Sequence, residues 1–443
     1  MDQHIAVIGA GISGLATAWL LSRRYQVTLF EKNDYIGGHT HTVTVQGERG
    51  PVGVDTGFMV FNHRNYPNLK ALFRHLGVAS RPTDMSFAAS VDDGRLEYAG
   101  SDLNTLFAQR RNLASPRFLR MLADILRFNR AGKRLLASGT TPEVTLGGYL
   151  IQAGYGSGFR DDYLLPMAAA IWSCPTRRML DFPLTAFLRF FANHGLMDLT
   201  GRPQWHTVEG GSRTYVERML EALPEGVHVG RRVVAVQRRD RGMRVITDDG
   251  REGFFDQVVF GCHADEVLGM LESPEEDETR VLEAFSYQPN ETILHSDIRL
   301  MPRRRRVWSS WNYMAHRGPG QVPEHQVSVT YWMNRLQSLE DSRPYLVSLN
   351  PLEDPQEDTV IRRMTYHHPV FDRGAMEAQG ALPAIQGRDR IWYCGAWTGY
   401  GFHEDGLRSA LQVTARLGVS PPWPTVRETE TAPAVTTPEM EAL

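Results

Sequence analysis

Cysteine, lysine and long apolar runs are all scarce in this 443-residue chain, and each scarcity removes a class of explanation. The three cysteines, Cys174, Cys262 and Cys394, stand far apart without C-x-x-C spacing. That spacing argues against a disulfide framework or a zinc cluster and suits buried small residues in a reducing compartment. Lysine occurs only as Lys32, Lys70 and Lys133, so nothing beyond Lys133 can rest on a lysine ammonium. No apolar run approaches the length needed to span a bilayer, and a net charge of −3 makes no general case for nucleic acid. The first strand starts too near residue 1 to leave room for a secretion signal, so a cytoplasmic protein is expected, with any membrane contact peripheral. No metal site is expected, and the oligomeric state is open.

What is present begins at once. Ile5-Ala6-Val7-Ile8 reads as a strand, Gly9-Ala10-Gly11-Ile12-Ser13-Gly14 as a glycine turn opening a helix, and Val27 to Phe30 as a second strand ending at Glu31. Gly9 permits the tight turn, Gly11 lets backbone approach a pyrophosphate, and Gly14 lets the helix pack on the strand. The phosphates would rest on the amides of Ile12 and Ser13, with the Glu31 carboxylate on a ribose hydroxyl. A bare G-x-G-x-x-G is weak, but this one has its strand, its helix and its acid at the expected offset.

The rest of the chain divides by texture. Residues 1–62 read as the first part of a nucleotide domain, 63–204 as a helical cap, 205–271 as its second part, 272–389 as a mixed-sheet substrate domain, 390–418 as its third part and 419–443 as a disordered tail. Strands are predicted at Val227–Val229, Val233–Gln237, Arg244–Thr247, Gln257–Phe260, Glu291–His295, Gln326–Trp332 and Leu346–Asn350, with the turn Asp248-Asp249-Gly250 between the third and fourth. The fold class expected is α/β: a Rossmann-like domain with a parallel sheet assembled from separated segments, plus an α+β substrate domain carrying a helical insertion.

The fingerprint, Glu31, the Gly37-Gly38 pair, the Asp55-x-Gly57 turn, Gly210-Gly211 and the closing stretch Trp392 to Gly406 together resemble the flavin-containing amine oxidase superfamily, which includes protoporphyrinogen oxidases and phytoene desaturases. The resemblance covers nearly the whole chain and implies FAD as the cofactor. It places Gly37, Gly38 and His39 by the pyrophosphate and ribityl chain, Thr56 and Gly57 by the flavin ring, Lys32 and Val233 at the adenosine end, and Gly395, Ala396, Phe402, His403 and Glu404 around the flavin. The helix opening near Glu404 would aim its amides at the flavin edge where negative charge gathers on reduction. Two departures matter. No Ser-Gly-Gly-Cys run is present, so noncovalent FAD is expected, and the lysine that amine-oxidising relatives set against flavin N5 is missing. The closing stretch, with Asn334-Arg335-Leu336 and His368-Pro369-Val370-Phe371, looks most like a bacterial predicted NAD/FAD-binding branch associated with fatty-acyl modification, which points to a lipid substrate.

The leading reading is therefore an FAD-dependent oxidoreductase that takes hydride from an apolar, lipid or fatty-acyl substrate. A redox-neutral flavin isomerase, an amine oxidase and a flavin-bearing lipid-binding or redox-sensing protein are the alternatives. His403 is the first candidate base, against a structural role for the same ring. Trp397 and Tyr400 are candidates for an apolar substrate wall, against a place in the core. A helix from Arg117 would set Phe118, Met121, Leu122, Ile125 and Leu126 opposite most of the arginines between Arg110 and Arg134. With Arg303 to Arg306, Trp308 and Trp311 it suggests peripheral contact with an anionic membrane, against two solvated basic faces.

Overall fold

Ile5, Ala6 and Val7 have no exposed surface, because the strand is covered on both faces: Ile5 and Val7 pack on Leu15 and Leu20 of the following helix, and Ala6 packs among Val236, Met243 and Phe255 on the other side. In the computed structural model, which describes residues 3–172, 176–198, 201–223, 226–316 and 328–424, five parallel strands stand in the order Val227–His228, Gln26–Phe30, His4–Ile8, Gln257–Phe260 and Ile391–Tyr393. The nucleotide domain is thus built from three separated parts of the chain. The fingerprint helix Ile12–Leu21 is buried along its whole length. Its Leu15 and Leu20 share a core with Leu407, Ala410 and Leu411 of the closing helix His403–Arg416. A small antiparallel sheet of Val233–Arg239, Gly242–Thr247 and Glu252–Phe255 hangs below, so the Asp248-Asp249-Gly250 turn leads into Glu252–Phe255 rather than directly to Gln257–Phe260.

A seven-stranded sheet forms the second body. Its order is Val360–Val370, Ser286–His295, Leu346–Leu349, Ser328–Trp332, Trp311–Ala315, Phe87–Val91 and Leu96–Ala99. Two of these strands come from the segment read as helical. The residues responsible, Ala88, Ala89 and Ala99, carry little strand propensity, and the hairpin rests on Asp92, Asp93 and Gly94, all at positive φ. Val360–Val370, unforeseen in the sequence, contains Pro369 and two arginines; as an edge strand it tolerates both.

The two faces of this sheet differ. One presents Phe87, Trp311, Tyr331, Val347, Leu349 and Thr292 to a large cavity. The other is polar yet buried: His295 Nε2 lies 2.8 Å from Ser348 Oγ, which lies 2.7 Å from Thr330 Oγ1, while His295 Nδ1 accepts the Asp297 amide at 3.1 Å. Accepting at Nδ1 fixes a neutral ring, and burial lowers its pKa from 6.5 to about 4. Since the folded pKa lies below the unfolded one, the stabilisation is full above pH 6.5 and is lost as pH falls toward 4. His295→Gln is expected to flatten the pH dependence of unfolding in that window by up to about 1.4 kcal/mol per pH unit, read by urea denaturation at stepped pH.

Helices of residues 103–193 cover the far side of the cavity. The longest, Pro116–Ala137, starts at Ser115, whose hydroxyl accepts the Phe118 amide, with proline in the first turn. It buries Phe118, Met121 and Phe128, but Leu126, expected on the buried side, is 40% exposed. At the other end the chain stays packed past Gly418: Val419 is buried and Trp423 stacks on Trp19 at 6.1 Å. Residues 425–443, the rest of the expected tail, and Cys174 lie outside the described residues.

Candidate active site

The three fingerprint glycines are glycines for different reasons. A Cβ on Gly14 would stand 1.8 Å from the Gly9 carbonyl oxygen, and one on Gly9, at φ +94, would stand 2.9 Å from the Cys262 nitrogen. Protein atoms forbid side chains there. A Cβ on Gly11 would meet nothing within 4 Å, because Gly11 opens onto the cavity. The space beside Gly11 is therefore free of protein and open to a ligand, which is the fit expected of a pyrophosphate on the helix N-terminus. Gly38 presses on Gly11, its Cβ position 3.0 Å from the Gly11 Cα, and the Gly37 amide donates to the Ala10 carbonyl at 2.9 Å. Gly14 and Gly37 therefore shape the turn from behind and do not line the cavity themselves.

Glu31 lines the cavity with its carboxylate already placed: one oxygen accepts the Ala10 amide at 2.8 Å and the other the Asn33 amide at 2.9 Å. A carboxylate has about four lone-pair sites, so two remain for ribose hydroxyls. Lys32, ion-paired to Glu266, and Val233 line the same end.

The cavity runs on without a break past Ile12, Ser13, His39, Thr56, Gly57, Gly395, Ala396, Phe402 and His403. At about 1560 Å³ it exceeds the roughly 300–1,000 Å³ of a pocket for one drug-sized ligand, and so has room for a dinucleotide and a second molecule. Its far wall joins the aromatic sheet face to Tyr163, Met167, Ile171 and Phe190 of the helical insertion. Asp84 and Arg335 at that end are paired with each other.

Several expectations change here. The His403 ring stacks on Phe58 at 3.8 Å, and its Nε2 lies 2.9 Å from Thr40 Oγ1 and 3.0 Å from Tyr215 Oη. Burial lowers its pKa to about 3, which favours the neutral ring and weakens it as a proton acceptor, and its contacts are those of a packed, hydrogen-bonded wall. The Glu404 carboxylate turns from the cavity. It accepts the Asn68 amide at 3.0 Å, the Asn68 side-chain amide at 2.7 Å and the Leu69 amide at 3.0 Å, capping the helix Pro67–Leu76. Only its main chain belongs to the helix terminus facing the cofactor site. Trp397 lines the cavity but packs on Phe285 at 4.7 Å within the core, and Tyr400 does not reach the cavity.

The sequence reading placed His39 at the cofactor but missed His263 and the gathering of imidazoles around it. His39, right after the glycine pair, lies 6.3 Å from His263 and 5.2 Å from His368, ring centre to ring centre. His263 follows the strand Gln257–Phe260, and loops leaving the carboxyl ends of parallel strands are where ligands sit, a signal that could have found it. Burial, with His367 adding to it, lowers the pKa of His39 to about 4, and burial, with His39 adding to it, lowers that of His263 to about 3. No group able to hold a metal ion occurs among the described residues. Tyr366 completes the wall, its hydroxyl 2.8 Å from His41 Nδ1 and 2.7 Å from Thr56 Oγ1.

Known proteins share this fold. Two solved structures cover 94% of this chain and 99% of their own: a fatty acid isomerase from P. acnes that produces CLA, with TM-score 0.68 and 15% identity, and putrescine oxidase bound to putrescine, with TM-score 0.66 and 18% identity. At such identities they speak for the fold. Among curated proteins, 1-hydroxycarotenoid 3,4-desaturase of Flavobacterium sp. (strain P99-3) is 50% identical over 48 residues, 11% of this chain and 10% of that protein. Tryptophan 2-monooxygenase of Allorhizobium ampelinum (strain ATCC BAA-846 / DSM 112012 / S4) is 40% identical over 102 residues, 23% of this chain and 14% of that one. The matched stretches thus span less than a sixth of either relative. The model of the flavin containing amine oxidoreductases, by contrast, matches residues 12–417, and with the nucleotide site in place the chain belongs to that family of flavin-dependent oxidoreductases.

Proposed function

We propose that this enzyme takes hydride from an apolar lipid or fatty-acyl substrate, in the manner of a desaturase, with noncovalently held FAD. The observation that carries the reading is the unbroken passage from the fingerprint turn to a wall of Phe87, Trp311, Tyr331, Val347 and Leu349, whose nearby charges, Asp84 and Arg335, neutralise each other. An extended hydrocarbon gains from such a wall about 25 cal/mol for each Å² it removes from water. Among the described residues of that wall the carboxylate within reach of a cationic amine is Asp84, already held by Arg335, and no lysine exists beyond Lys133.

FAD, when bound, supplies the two-electron acceptor. The chain's own part is placement. Amides at the start of the fingerprint helix hold the phosphates, Glu31 holds the ribose, and the N-terminus of the closing helix offers positive potential, worth on the order of 1 kcal/mol toward an anion. The aromatic wall excludes water and fixes the donor carbon, and such positioning can supply several kcal/mol of the roughly 7–11 kcal/mol available to oriented reactants. Burial keeps the Tyr366 hydroxyl and the Cys262 thiol protonated, so neither offers an anionic nucleophile for a flavin tether.

Anaerobic mixing of holoenzyme with unsaturated or methyl-branched acyl lipids tests this. Loss of the yellow absorbance with an acyl lipid and not with putrescine is the expected result. Product formed by prereduced enzyme without net electron flow would replace dehydrogenation by isomerisation, and bleaching by the amine alone would overturn the lipid reading.

A further inference from the structure

The two basic stretches that lie far apart in the sequence adjoin in the fold. The short helix Leu103–Leu106 touches the turn Arg305–Val307, and the turn Arg110–Ala114 packs on the helix Pro116–Ala137. One hairpin links them: Arg111 bonds the Arg95 carbonyl, and Arg304 bonds the Gly94 carbonyl at 3.1 Å. Arg95, Arg303 and Arg304 are matched by Asp92, Asp93 and Glu97. Arg110, Arg111, Arg130, Arg134, Arg305 and Arg306 are exposed and have no carboxylate partner among the described residues. The one acid of the long helix, Asp124, is turned inward, accepting the Gly156 amide at 3.0 Å.

Apolar side chains stand among these arginines. Leu103 is 74% exposed, Leu113 55% and Leu119 43%. Leu119, Ala123 and Leu126 follow one face of the helix and lead to Arg130. The cavity comes out at the same place: Gly100 and Ser101 are exposed, line the cavity and immediately precede the cap of the Leu103–Leu106 helix.

We infer that this face docks on an anionic lipid bilayer. The leucines enter the boundary between headgroups and acyl chains, the arginines meet lipid phosphates, and an acyl substrate passes into the cavity beside Gly100 and Ser101. The inference rests on the lipid-substrate reading above. Charge complementarity selects the occupant, because a protein of net charge −3 would otherwise be repelled by such a surface. Exposed leucines beside the arginines select a bilayer over a nucleic acid, whose phosphate backbone gains nothing from them.

The test is cosedimentation of the holoprotein with vesicles of phosphatidylcholine alone or mixed with phosphatidylglycerol. Binding only to the mixed vesicles, weakened by salt, is expected. Each arginine near the surface contributes about fivefold in partitioning, so Arg305→Gln/Arg306→Gln should bind about twenty-five-fold more weakly. Leu103→Ser/Leu113→Ser should also bind more weakly, with retained flavin absorbance showing that both variants are folded. Equal binding to neutral vesicles, binding unaffected by either variant, or no binding at all would overturn the docking. So would equal binding of duplex DNA by wild type and the leucine variant without vesicle binding. Bleaching by detergent-dispersed acyl lipid reports on the substrate reading separately, so docking can fail while that reading stands.

Discussion

Gly11→Val is expected to give a folded protein that purifies without colour and stays colourless in excess FAD. The backbone at Gly11, φ −68 and ψ 179, is extended and suits a β-branched residue, and no protein atom lies within 4 Å of the new Cβ. The unfolding midpoint of the apoprotein should therefore barely move. The added methyl groups instead occupy the space through which backbone amides reach the phosphates, and FAD affinity should fall at least about a hundredfold, roughly 3 kcal/mol. Gly14→Ala makes the contrast. Its Cβ would stand 1.8 Å from the Gly9 carbonyl oxygen, so that variant should lose the fold of the turn itself. Far-UV circular dichroism separates the two, and fluorescence titration with FAD reads the affinity. A yellow Gly11→Val protein that binds FAD tightly would show that the phosphates lie elsewhere.

The difference between these two glycines also explains what the sequence made legible. Gly9 and Gly14 are required by contacts within a few residues or with the neighbouring strand, and Ile5 to Ile8 is apolar throughout because both of its faces are covered; local patterns record such demands. The far wall is different. Phe87, Tyr163, Phe190, Trp311 and Tyr331 come from distant parts of the chain, and each alone reads as ordinary core. The hairpin bearing Phe87 is rich in alanine, and the Val360–Val370 strand bearing Tyr366 and His368 is an edge with half its residues polar. His403 shows the limit on chemistry. Its place in the closing stretch put it beside the cofactor, but only the fold shows that burial, against Phe58 and between the hydroxyls of Thr40 and Tyr215, pushes its pKa down.

Asp55 carries the second large effect, on stability. It is fully buried, and its carboxylate gathers segments remote in sequence: the Thr42 hydroxyl at 2.5 Å, the Ser212 amide at 2.9 Å and hydroxyl at 2.8 Å, and the Gln337 side-chain amide at 3.0 Å. The Gly210-Gly211 turn exists to allow this approach, since a Cβ on Gly211 would stand 2.5 Å from the Thr42 methyl carbon. Asp55→Ala leaves several buried donors without an acceptor, each costing about 1–3 kcal/mol, and water has little access to replace it. A loss of about 3–5 kcal/mol is expected in urea denaturation of the holoprotein, against less than about 0.5 kcal/mol for Glu357→Ala, whose ion pair with Arg363 is 82% exposed on the glutamate side. Asp55→Asn should recover only part of the loss, because its amide nitrogen must face donors. A cost below about 1 kcal/mol for Asp55→Ala would mean that the nucleotide domain and the seven-stranded sheet are held together chiefly by the apolar contacts around them.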